Sequence, residues 1–171
     1  MEPSQPISRR GALLAGIVCI AGGCPAILMT TGLMRSTLSP GVPWWVGMAA
    51  GLVFIFGGAA VIVGYGVGDG LGPDGDLPPG TPLPVRATQY LLGFFIVGLL
   101  LAISSWVAFG PGERHFSTTA ETPVGATSSE SSEGLGRVVF GAGAVAIGIF
   151  WVYGTIVSVR RLKRAAKRSG V

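Results

Sequence analysis

The chain has 171 residues, 49% of them hydrophobic and 12% charged, with a formal net charge of +4 and a mean hydropathy of +0.62. Soluble domains carry about 25% charged residues, and they interleave those charges along amphipathic elements. Here the charges collect in short islands between long apolar runs, which excludes a compact soluble domain and makes nucleic acid an unsuitable partner for the basic excess.

The chain opens on an N-terminus, 1–10, that ends in Arg9 and Arg10. The first apolar run covers residues 11–34 and meets the requirement of about 20 apolar residues for a bilayer crossing. "SRRGALL" loosely resembles a twin-arginine export signal, and "IAGGC" loosely resembles a lipoprotein cleavage box. The residues after Cys24 stay apolar, however, and the full run is longer than the apolar core of a signal peptide. An intact first helix, kinked at Pro25, is therefore expected. Cys19 and Cys24 lie more than a turn apart in one helix and point in different directions, which forbids a bridge between them. There is no CxxC for thiol redox chemistry.

The second span is placed at 44–67, the third at 88–109 and the fourth at 137–158. Transmembrane strands would show apolar–polar alternation, which is absent. The expected fold class is all-α, an integral membrane four-helix transmembrane bundle with short loops, its membrane domain covering 11–159.

The segment 68–84 holds Asp69, Asp74, Asp76 and several prolines, without the terminal glutamate of a calcium loop. A semi-rigid connector fits it best, with Arg86 anchoring the third helix. The segment 110–136 starts "GPGERHFS" and turns rich in Ser and Thr. It has little apolar surface to bury, so a mobile external loop is expected. The tail 160–171 carries six cations, which continue the fourth helix, fix topology and attract anionic lipid headgroups.

Basic residues set the orientation. With both termini cytoplasmic, Arg9, Arg10, Arg86 and the six tail cations lie inside, leaving only Arg35, Arg114 and Arg137 outside. The short loops and the basic pair suit a bacterial inner (plasma) membrane. Trp44, Trp45, Trp106 and Phe109 then share the outer interface.

Small residues point to packing seams, because backbone approach drives helix association in lipid. The first span repeats Gly11, Ala15, Cys19 and Gly23; the second has Gly47-x3-Gly51 and Ala60-x3-Gly64; the fourth has Ala144-x3-Gly148. The bulkier third span offers fewer such positions. A tight contact among spans one, two and four is expected, with the third facing lipid or a partner.

Reactive groups are scarce. No Asp, Glu, Lys or His lies inside any predicted span, which argues against a proton-coupled path. HExxH is absent, and His115 has no second histidine for a haem or metal. Glu113, Arg114 and His115 are read as an interfacial turn, so no catalytic, cofactor or metal residues are assigned. The favoured function is a non-enzymatic accessory or scaffold subunit that packs with a membrane-protein partner or as a homo-oligomer. The alternative is a small oligomeric transporter or channel for a neutral or weakly charged solute. An outer-interface lipid enzyme using Glu113 or His115 ranks third.

Overall fold

The computed structural model describes residues 8–33, 42–67, 77–78, 80–111, 116–122, 125–131 and 133–168. Four helices long and apolar enough to cross a membrane make up the fold: α1 Arg9–Thr30, α2 Trp44–Val67, α3 Leu83–Phe109 and α4 Glu133–Arg168. The chain is thus an all-α, four-helix membrane bundle. Among the described residues its one other regular element is a hairpin, β1 Phe116–Thr122 with β2 Gly125–Ser131, in the connection before α4.

Helix ends follow local chemistry. Ser8 caps α1, its hydroxyl accepting from the Gly11 amide at 3.2 Å. At the other end the Ile27 carbonyl accepts from both the Thr31 amide at 3.0 Å and the Thr30 hydroxyl at 2.8 Å, and the Thr31 hydroxyl donates to the Leu28 carbonyl at 3.1 Å, in the last turn where carbonyls run short of amide partners. Gly32 then takes a positive φ, the left-handed conformation that stops the helix without a Cβ clash. The first helix therefore ends a turn short of residue 34. Pro25 lies inside it.

The third and fourth helices are longer than their predicted spans. Helix α3 begins at Leu83 rather than 88, because a first helical turn tolerates proline: its amides are unpaired in any case. Pro82 and Pro84 therefore open the helix instead of delaying it. Helix α4 begins at Glu133, whose carboxylate favours the positive helix N-terminus. That carboxylate pairs with Arg137 at 2.8 Å. The helix continues through the Ala-, Leu- and Arg-rich tail to Arg168, since those residues are strong helix formers. Its 36 residues make a rod of about 54 Å, well beyond a ~30 Å hydrocarbon core.

Nothing in the sequence of 110–136 predicts a regular element, yet residues 116–122 and 125–131 pair in register from Phe116 opposite Ser131 to Thr122 opposite Gly125. The threonines of β1 suit a pleated strand, and backbone pairing satisfies groups that no core could.

The extensive helix contacts join α1 to α2, α2 to α3 and α3 to α4. This corrects the expected grouping of spans one, two and four: the fourth packs on the third. All three pairs run antiparallel. Gly16 meets Gly58 while Gly23 meets Gly51, Trp45 meets Trp106 while Phe56 meets Phe95, and Gly141 meets Ala108 while Gly148 meets Leu101. The starts of α1 and α3 and the ends of α2 and α4 accordingly share one face of the bundle. The α3 span is still the least buried of the four.

Candidate functional site

Three features could carry function: the glycine seam between α1 and α2, the outer flank of α4, and a groove between α3 and α4. The seam is the tightest contact. A Cβ at Gly23 would stand 2.5 Å from the Gly51 carbonyl oxygen, and one at Gly51 would stand 2.8 Å from the Gly23 oxygen. Gly16 and Gly58 repeat this reciprocal contact one heptad away, with 2.9 Å from a Gly16 Cβ to the Gly58 oxygen. Heptad spacing on both helices keeps one face in contact over two turns. The expected Gly23 and Gly51 lie in this seam, whereas Gly11, Ala15 and Gly22 are exposed. Gly16 and Gly58 are not among the pairs expected from sequence. Arginines pin the helix ends: Arg9 Nη2 donates to the Gly66 carbonyl at 2.8 Å, and Arg137 Nη1 to the Gly110 carbonyl at 3.3 Å. Both carbonyls lie where a helix end leaves acceptors open.

The α3–α4 contact is built differently. Bulky α3 residues fill spaces left by small α4 residues, with Leu101 over Gly148 and Ala144 buried. At one point the roles reverse. Gly98 lets the Trp151 ring approach, and Trp151 Nε1 donates to the Phe94 carbonyl at 3.0 Å. An indole N–H inside a bilayer needs such a partner. The Phe94 and Trp151 rings pack with centroids 4.7 Å apart.

Beyond this aromatic plug, toward the basic tail, a groove of about 700 Å³ lies between the two helices. Gly93 of α3 and Gly154 of α4 both line it, and a Cβ at either would meet no atom within 4 Å. The groove exists because each wall lacks a side chain there. Phe94, Val97, Phe150 and Trp151 line its inner end, while Gln89, Tyr90, Ser158 and Arg161 line the end near the tail.

On another face of α4, Val138, Val145, Ile149, Val152 and Ile156 are all exposed. Their spacing places them within one narrow stripe at about 100° per residue. Every one is β-branched.

The predicted turn residues Glu113, Arg114 and His115 lie outside the described residues. Among the described residues no three His, Cys, Asp or Glu side chains converge for a metal. Cys19 borders the α1–α2 seam beside Gly58, and Cys24 is exposed; both are free thiols. The groove residues carry no mark in the sequence. Arg161 reads there as one of six tail cations that fix topology and attract anionic headgroups, with nothing to tie it to a groove, and the one further signal, a glycine facing open space on each helix, requires knowing which helices are neighbours.

Taken together, the four apolar helices define a polytopic α-helical membrane protein. No known protein family, curated protein or solved structure matches the chain.

Proposed function

We propose that the chain is a non-enzymatic accessory or scaffold subunit of a bacterial inner membrane, with both termini cytoplasmic, that packs against another membrane protein. The observation that carries this reading is the exposed β-branched stripe of α4, Val138 to Ile156. In a helix such side chains have one strongly preferred χ1 rotamer, so little rotamer freedom is lost when a partner helix packs on them. Association in lipid depends on close packing, and a preordered ridge supports it. Helix α4 terminates the packing order, so a neighbour can reach this ridge without displacing another helix of the chain. The basic last turns of α4 add attraction to anionic headgroups on the cytoplasmic face, at about 1 kcal/mol per cation.

Single cysteines at Ile149 and Val152, in a chain lacking Cys19 and Cys24, test the reading in native membranes. The expected result is cross-linking to one membrane protein that also co-purifies in mild detergent. A monomer in mild detergent with no cross-link at either position would overturn it. Substrate flux in proteoliposomes with correctly inserted protein would replace it with the transporter reading.

A further inference from the structure

We infer that the groove between α3 and α4 seats one acyl chain of an anionic phospholipid, with the lipid phosphate at Arg161. Four observations converge on this occupant. First, depth: the lining runs from Ala87 to Val97 on α3 and from Phe150 to Leu162 on α4, which is about 15 Å and about 18 Å along the axes. That is about half of a ~30 Å hydrocarbon core, the reach of a lipid in one leaflet.

Second, the polarity is graded as a lipid requires. Phe94, Val97 and Phe150 line the end toward the membrane centre, where the Trp151 plug closes it. Gln89, Tyr90, Ser158 and Arg161 line the end where α4 leaves the core. Third, charge: Arg164, one turn after Arg161 on the same side of α4, is exposed like it. A net negative headgroup gains more from this pair than a zwitterionic one, whose own cation opposes them. Fourth, shape: the space stands where Gly93 and Gly154 lack side chains. A partner helix, about 10–12 Å across, would need a trough through the whole core. A single flexible chain fits a half-length groove.

The groove lies on a different face of α4 from the β-branched stripe, so the two proposals stand or fall separately. Native mass spectrometry of the full chain tests the lipid site, using micelles loaded with equal phosphatidylglycerol and phosphatidylcholine. The wild type is expected to retain one phosphatidylglycerol, preferred at least fivefold over phosphatidylcholine. Arg161→Gln should reduce that preference by about fivefold, the factor one surface cation supplies, while acyl-chain binding persists. Gly154→Leu should remove the retained lipid of either kind. Leucine is the better helix former and its side chain enters open space, so the variant is expected to fold, as helicity would show.

A second readout needs no groove substitution. Brominated-chain phosphatidylglycerol should quench Trp151 fluorescence more than brominated phosphatidylcholine, in a chain with Trp44, Trp45 and Trp106 changed to Phe. Retention unchanged by Gly154→Leu, equal quenching by the two lipids, or a peptide found in place of the lipid would each overturn the assignment.

Discussion

Gly22 and Gly23 are adjacent, chemically identical and in the same apolar helix, yet alanine should have opposite effects at the two positions. A Cβ at Gly22 meets nothing within 4 Å. A Cβ at Gly23 would lie 2.5 Å from the Gly51 carbonyl oxygen, 2.9 Å from Ile55 Cγ1 and 3.1 Å from Phe54 Cβ. Carbon–oxygen contacts between backbones settle near about 3.3–3.6 Å, so the overlap is about 0.8 Å. The obstacle is a backbone atom of α2, which no rotamer change can move. The helices must therefore part by nearly that distance, and a gap of about 0.5–1 Å forfeits a quarter to a half of each contact's attraction. Overpacking of this kind costs about 1–3 kcal/mol, against about 1 kcal/mol gained from replacing a helical glycine. Gly23→Ala should destabilise the α1–α2 pair by up to about 2 kcal/mol, and Gly22→Ala, with the same propensity gain and no clash, should be stabilising by up to about 1 kcal/mol. Adding Gly58→Ala to Gly23→Ala should cost less than the sum of the single changes, because one displacement relieves both clashes. Denaturation in mixed micelles, followed by tryptophan fluorescence, measures all of these variants. Equal stability of Gly22→Ala and Gly23→Ala would refute the backbone-contact account.

Trp151→Phe keeps a ring beside Phe94 but removes the donor to its carbonyl, and should cost about 0.6–1.7 kcal/mol in the same micelle assay; Gly98→Leu, which puts a side chain against the indole, should cost more. Arg137 and Glu133 are both partly exposed, so their double-mutant cycle should give a coupling energy of only about 0.3–0.5 kcal/mol. Removing the Arg137 contact to the Gly110 carbonyl should raise amide exchange at the α3–α4 end more than global unfolding. Reporter fusions should place the hairpin region, 116–131, and the basic tail in opposite compartments, since α4 joins them through the membrane. Finding both on one side would remove α4 as a span.

The hairpin and the helix ends show how far local chemistry can be read in advance. The second helix lies at its predicted limits, 44–67, because its long apolar run has abrupt polar and proline-rich boundaries. The third begins earlier than expected because Pro82 and Pro84 act as helix openers once Leu83 starts a turn. The same residues read from sequence look like breakers. The pairing of 116–122 with 125–131 joins two polar segments, and neither signals it by alternating apolar residues.

Composition alone determined that four segments are helices of membrane-spanning length. In oil a backbone must satisfy its own hydrogen bonds, and an apolar run of this length offers no other solution. Which helices touch, and on which face, was decided only in three dimensions. In water a helix marks its inner face with hydrophobic residues, but these helices are apolar all round and lipid is as apolar as leucine. The difference between a lipid-facing glycine and a seam glycine, Gly22 and Gly23, therefore lies in the distance to a neighbouring backbone and not in residue type. The α3–α4 groove has the same origin: Gly93 and Gly154 leave a space only because packing sets their helices side by side.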